Sequence, residues 1–236
     1  MILKTLPWAL PAFDAAIVDL DGTLVDTLGD FVEALRRMLG DLPSPYRDFV
    51  VDRVLVERLV GKGSENLIKS LLALVDVAQT AINSGALFNL AWASYQRHYP
   101  DVNGRYSSVY PGALQGLAQW QAAGLRLACV TNKPTAFALA LLVDKGLDRY
   151  FLHTIGGDAV ARKKPDPMPL LHACNLLGSM PRRTLMVGDS SNDAQAARAA
   201  GCPVLLVSYG YNHGEPITAV DADGFVDTLA DLPWRV

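Results

Sequence analysis

The sequence predicts an α/β protein, with a doubly wound, parallel (Rossmann-like) sheet core and an inserted all-helical domain. Three observations predict it. Several short apolar runs have the length of strands buried on both faces. Helical patterns lie between most of them, and strand–helix alternation implies parallel strands joined by right-handed crossovers. One long stretch, from about Thr27 to Ser107, contains no convincing strand and has helical apolar spacing.

The elements follow in chain order. The N-terminal segment MILKTLPWALPAFD is apolar, but Pro7 and Pro11 break it and Asp14 closes it. It carries neither the extended apolar region nor the small-residue cleavage signal of a secretory leader. Ala15–Leu20 then reads as the first buried strand. In the following stretch Phe31, Leu35, Met38 and Leu39 fall at i, i+4, i+7 and i+8, one face of a helix. Leu67, Ile68, Leu71, Leu72 and Val75 repeat the pattern behind Ser64, a favourable N-cap. Phe88, Trp92 and Tyr95 suggest another helix. The segment from Pro100 to Gly112 is rich in turn formers and reads as the return to the core. Leu125–Val130, a weaker run at Leu152–Ile155, Thr184–Val187 and Val204–Val207 supply the remaining strands. The expected division is a discontinuous core, 1–26 and 108–236, around a helical insert, 27–107.

Composition narrows the function classes. The chain has 236 residues, 50% of them hydrophobic, enough for a buried core. Lys plus Arg number 21 against 24 Asp plus Glu, a net charge of −3. No basic stripe is visible, so no nucleic-acid partner is expected. No run approaches the roughly 18 apolar residues of a membrane helix, so no membrane partner is expected either. Cys129, Cys174 and Cys202 form no Cys-x-x-Cys pair, and His98, His153, His172 and His213 are scattered. Buried thiols in a reducing compartment fit the cysteines, and a zinc site does not fit the histidines. The expected setting is cytoplasmic, with monomer and homodimer both open. Trp8, Trp92, Trp120 and Trp234 read as packing anchors.

The chemistry gathers after the apolar runs. In open parallel sheets, ligands bind beyond the carboxyl ends of the strands. The first run is followed by Asp19-Leu-Asp21-Gly22-Thr23-Leu-Val-Asp26, the next by Thr131-Asn132-Lys133-Pro134. Lys164-Pro165-Asp166-Pro167 comes later, and Thr184–Val187 leads into Gly188-Asp189-Ser190-Ser191-Asn192-Asp193. Asp19 and Asp21 leave a buried strand one residue apart and repel each other unless a cation intervenes. Asp189 and Asp193 add negative charge at the same edge. All-oxygen ligands of this kind suit Mg²⁺. Gly22 leaves room for backbone N–H groups to approach a ligand. Thr131 and Asn132 precede Pro134, a favourable first helical residue, so they present a hydroxyl and amides at a helix N-terminus, an anion site or a simple cap. Gly61-Lys62-Gly63-Ser64 reads either as a turn with a solvated lysine or as a basic loop reaching a substrate carboxylate. Asp26 and Thr27 read as hinge or helix-start residues. Tyr209 and Tyr211 lie near the site edge without assigned chemistry.

These four segments resemble the four motifs of the haloacid dehalogenase superfamily, and the resemblance covers nearly the whole chain. The helical insert resembles that superfamily's C1 cap. Val60-Gly-Lys-Gly63 and Tyr209-Gly-Tyr-Asn-His-Gly-Glu215 resemble bacterial phosphoglycolate phosphatases. The resemblance implies Asp19 as the nucleophile that forms an aspartyl-phosphate, splitting hydrolysis into two easier steps. It implies Mg²⁺ held by the side chains of Asp19 and Asp189 and the backbone carbonyl of Asp21. Asp21 is then the general acid toward the leaving alkoxide and the base toward water. Haloacid dehalogenases themselves usually lack a carboxylate there, so Asp21 favours phosphoryl transfer. Lys164 neutralises the transferring phosphoryl and pairs with Asp19; Lys163 is its rival, but Lys164 precedes the proline. Thr131 belongs to the catalytic set; Gly22 and Asn132 are expected to bind phosphate. Asp193 orients metal waters or Lys164.

The implied activity is Mg²⁺-dependent hydrolysis of a small phosphorylated metabolite, 2-phosphoglycolate first. A sugar phosphomutase of similar core and cap is the nearer alternative. A non-hydrolytic phospho-Asp signalling module is the remote one, because such modules are one short domain without a helical insert.

Overall fold

The computed structural model describes residues 13–75 and 84–232. The N-terminal segment before Phe13, with Trp8, and the C-terminal Trp234 lie outside the described residues.

Six parallel strands form one sheet in the order β5-β4-β1-β6-β7-β8. They are β1 (Ala15–Val18), β4 (Arg126–Val130), β5 (His153–Ile155), β6 (Thr184–Gly188), β7 (Val204–Val207) and β8 (Gly224–Val226). β1 pairs with β4 on one side and β6 on the other, with Val18 opposite both Cys129 and Val187. Alternation fills both faces. Ala16, Val18, Leu127 and Cys129 join one apolar cluster, and Ala15, Ile17, Ala128 and Val130 join the other. Helices α5 (Ala113–Ala122) and α6 (Thr135–Asp144) cover the first face through Leu117, Trp120, Ala138 and Leu141. Helices α7 (Met168–Leu176) and α8 (Ser191–Ala200) cover the second through Leu170, Ala173, Ala194 and Ala197. This explains why the strands read as unbroken apolar runs rather than alternating ones. The short β8 was not anticipated: its three residues, Gly-Phe-Val, carry too little pattern.

The chain runs from β1 to β4 and β5 on one side, then crosses to β6 on the other. The strand order therefore reverses beside β1, which is where such sheets bind ligands. Asp19 leaves β1 and Asp189 leaves β6, side by side at that point.

A two-residue antiparallel ribbon, β2 (Val25–Asp26) with β3 (Ser108–Val109), marks where the chain leaves the sheet and returns. Between them stand α1 (Leu28–Gly40), α2 (Arg53–Leu59), α3 (Ser64–Val75) and α4 (Ser84–Val102). They share a separate apolar cluster containing Phe31, Leu35, Met38, Leu39, Leu67, Ile68, Leu71, Leu72, Tyr95 and Tyr99. Helix α4 continues through Pro100, where the sequence suggested a turn. The proline removes one hydrogen bond in the last turn, and burial of Tyr99 and Val102 offsets it.

The return segment is tied down by Asp30. This fully buried carboxylate in the first turn of α1 accepts from Gly104 N (2.8 Å) and Tyr106 N (2.7 Å). The three cysteines are free and buried.

Candidate active site

Asp19, Lys164, Asp189 and Asp193 meet beyond β1 and β6. Lys164 is the organising cation. Its side chain is 2% exposed, with Nζ 2.9 Å from Asp19 Oδ1, 2.7 Å from Asp193 Oδ1 and donating to Val130 O at 2.8 Å. Burial works against its charge, but Asp19 and Asp193 outweigh burial and raise its pKa. Lys163 is exposed, so proximity selects Lys164 from the pair.

One oxygen from each of Asp19, Asp189 and Asp193 lies within 4.8 Å of the others, the group of possible metal ligands found among the described residues. Burial pushes the Asp19 carboxyl up to about 7, against the pull of Lys164. Burial, then Asp193 and Asp19, push Asp189 well above the ordinary carboxylate range. Three buried carboxylates thus share one buried ammonium. That imbalance and the all-oxygen donor set suit a hard divalent cation.

Asp193 is already committed. Its Oδ2 accepts from Ser190 Oγ (2.8 Å), Ser190 N (3.1 Å) and Asp189 N (3.2 Å), closing a capping box at the start of α8. Its Oδ1 takes Lys164. Asp19 and Asp189 are left as the carboxylates able to face a metal. Asp189 is held by Tyr211 N on Oδ2 (2.6 Å) and by Thr23 Oγ1 on Oδ1 (3.4 Å). The Asp21 side chain turns away from this group toward Lys133 Nζ, 3.0 Å away.

Gly22 is required where it stands. Its φ is +86°, and a Cβ there would lie 2.0 Å from Asp189 Oδ2. Thr131 is buried and accepts Lys133 N on its hydroxyl at 3.2 Å.

The side-chain amide of Asn132 donates to Lys164 O and Gly61 O, both at 2.9 Å, and so ties the Gly61 loop to the core. Asn192 Nδ2 donates to the same Gly61 carbonyl at 3.1 Å. Both asparagines therefore clasp the Val60–Ser64 loop from below. Gly61, at φ +105°, lets His213 pack against it: a Cβ would stand 2.7 Å from His213 Cε1.

Lys62 departs from expectation. It is exposed and lines an open groove with Lys163, Ser191 and His213. The cavity beside the carboxylates, about 40 Å³, is lined instead by Asp19, Asp21, Phe31, Leu67, Thr131 and Lys133, among others. The backbone of Gly61 holds the loop down, and the Lys62 side chain points elsewhere.

Tyr211 connects the two layers. Its N–H holds Asp189, while its hydroxyl donates to Asp26 Oδ1 (2.6 Å) and accepts from Thr27 N (2.9 Å). Asp26 also pairs with Arg53 of α2.

A family model for haloacid dehalogenase-like hydrolases matches residues 13–201. The chain belongs to this family. Among haloacid dehalogenase-like relatives, a plasmid-encoded phosphoglycolate phosphatase of Cupriavidus necator is 47% identical over 219 residues, 93% of this chain and 91% of its own length. A phosphoglycolate phosphatase of Thiobacillus denitrificans is 42% identical, covering 99% of both chains. A crystal structure named as a predicted phosphoglycolate phosphatase, from Haemophilus somnus, superposes with a TM-score of 0.87 at 31% identity, covering 94% of this chain and 97% of its own. With these relatives, the chain is a phosphoric monoester hydrolase.

The sequence passed over Lys133. It stood next to Thr131-Asn132 in the same strand-end loop, and that adjacency was the available signal.

Proposed function

We propose that this hydrolase acts on a small phosphorylated metabolite, 2-phosphoglycolate, through an aspartyl-phosphate on Asp19 with Mg²⁺ as cofactor. The observation that carries the reading is the Asp19–Lys164–Asp193 ion-pair chain beside Asp189, at the strand-order reversal. The small cavity beside it supports a small ester, since about 40 Å³ gives room on the order of three waters. The names of the relatives support 2-phosphoglycolate.

Asp19 and Asp189 would hold Mg²⁺ by their side chains and Asp21 by its backbone carbonyl. When bound, the metal supplies positive charge that offsets repulsion between a carboxylate and a phosphoryl dianion. Asp19 attacks phosphorus and takes the phosphoryl group, and the ester oxygen leaves. Asp21 protonates that oxygen, then removes a proton from the water that attacks phosphorus and releases phosphate. Lys164 holds Asp19 in line and neutralises phosphoryl charge. Thr131 offers its hydroxyl to the phosphoryl group. Asp193 keeps Lys164 and the turn before α8 in place.

Residues 27–107 act as a cap whose Val60–Ser64 loop closes the cleft and excludes water. The remaining residues, 1–26 and 108–236, form the catalytic core. Three free buried cysteines fit a cytoplasmic setting.

The test is phosphate release across a panel of esters, with Mg²⁺ or EDTA, for wild type and Asp19→Asn. The reading expects a preference for 2-phosphoglycolate that both EDTA and Asp19→Asn abolish. Undiminished turnover in either case defeats the mechanism. Conversion of a hexose 1-phosphate without free phosphate would favour a phosphomutase instead.

A further inference from the structure

Lys133 is a buried cation on the leaving-group side of the cleft, and the hydrolytic steps above leave it without a task. Its side chain is 1% exposed, yet it lines the same cavity as Asp19, Asp21 and Thr131. Its ammonium lies 4.8 Å from the centre of the Phe31 ring and 5.0 Å from that of Tyr99, and it donates to the Tyr99 hydroxyl. Phe31 belongs to α1 and Tyr99 to α4. A lysine of the sheet loop thus reaches up into an aromatic box built by the inserted helices.

Such a box holds a cation in place and strips it of water, which strengthens its attraction for an anion. An ammonium has three N–H donors. Asp21 Oδ1 and the Tyr99 hydroxyl take two, which leaves one for a ligand. Much of the remaining wall is apolar: Val60, Leu67 and the rings of Phe31 and Tyr211. One negative group against that wall would find Lys133.

Resting on the function proposed above, we infer that Lys133 is the specificity-determining residue that binds the carboxylate of the leaving group. The geometry supports this. The general acid Asp21 must touch the ester oxygen, and Lys133 Nζ is 3.0 Å from Asp21 Oδ1. A carboxylate two bonds from the ester oxygen falls beside it. The substrate class is a short phosphomonoester with a carboxylate on the carbon that bears the ester oxygen. Exposed Lys62 takes no part in this contact.

The experiment compares 2-phosphoglycolate with ethyl phosphate, which has the same chain length and no carboxylate. Wild type, Lys133→Met and Lys133→Arg are assayed with Mg²⁺, after thermal melts establish that each is folded. A charge-assisted hydrogen bond contributes about 1.5–3 kcal/mol, or roughly 10–150-fold. Wild type is expected to prefer 2-phosphoglycolate by at least that factor. Lys133→Met should lose the preference: kcat/KM should fall much further on 2-phosphoglycolate, mainly through a raised KM, than on ethyl phosphate, where any loss reports the change beside Asp21. Lys133→Arg should retain part of it. Should Lys133→Met not fold, wild-type inhibition decides: glycolate is expected to compete with substrate and ethylene glycol is not. Equal losses on both esters, or equal inhibition by both alcohols, overturn the assignment and leave the hydrolase reading intact. Absence of turnover on any ester defeats that reading itself.

Discussion

Replacing Lys164 by Met removes the one cation that three buried carboxylates share. The side chain is 2% exposed and contacts Asp19 at 2.9 Å, Asp193 at 2.7 Å and Val130 O at 2.8 Å. Methionine fills similar volume, so packing changes little. Breaking a buried pair by removing one partner costs about 3–5 kcal/mol, because the other charge stays buried and unpaired. For a domain of this size each kcal/mol lowers Tm by about 2–4 °C, so a drop on the order of 10 °C is expected at pH 8 in EDTA. The cost should depend on pH. Burial already holds the Asp19 carboxyl near 7, and loss of Lys164 pushes it higher. At pH 5.5 that carboxyl is protonated, so the missing cation matters less and the drop should shrink. Thermal melts of both proteins at the two pH values, in EDTA, make the comparison. A variant within 2 °C of wild type at pH 8, or an equal penalty at both pH values, would refute this electrostatic account.

Four further outcomes follow from the same geometry. Asp19 and Asp189 have pKa values raised by burial, so without metal the folded chain binds more protons than the unfolded one, for Asp19 between its ordinary carboxylate range and about 7. Their contribution to stability therefore falls as pH rises through that window; Mg²⁺ should raise Tm more at pH 8 than at pH 5.5, and calorimetry at pH 6.5 should show proton release on Mg²⁺ binding. Gly22→Ala places a Cβ 2.0 Å from Asp189 Oδ2 and should lower kcat/KM by about 100-fold through displacement of that carboxylate, with Mg²⁺ affinity reduced as well. Asp30→Ala orphans Gly104 N and Tyr106 N and should cost about 3 kcal/mol in denaturant melts; a loss below 1 kcal/mol would show the segment is held otherwise. Lys62→Ala alters an exposed side chain and should leave kcat/KM within about twofold of wild type.

The core was legible because strands buried on both faces read as apolar runs, and the polar residues that end them stand out. Asp19, Thr131 and Asp189 stood out at strand ends, while the choice of Lys164 over Lys163 needed the family resemblance. Partnership was harder to read. Asn132 was readable as a polar residue at a helix start, but not the two carbonyls, Gly61 O and Lys164 O, that its side-chain amide joins. Lys133 gains its setting from Phe31 and Tyr99, two residues far away in sequence that no local period links to it. Asp30 stands in the first turn of α1, and only its distant backbone partners, Gly104 N and Tyr106 N, reveal why it is buried. Helix α4 passed through Pro100 because long-range burial of Tyr99 and Val102 outweighed a local turn signal.

The central claim is that Asp19 takes the phosphoryl group. Acid quenching during turnover of 2-phosphoglycolate with Mg²⁺, followed by borohydride reduction and peptide mass spectrometry, tests it directly. Borohydride converts an aspartyl-phosphate to homoserine. The account predicts homoserine at position 19 in wild type and none in Asp19→Asn. Homoserine at Asp21 or Asp189, or its absence from position 19 during active turnover, would contradict it.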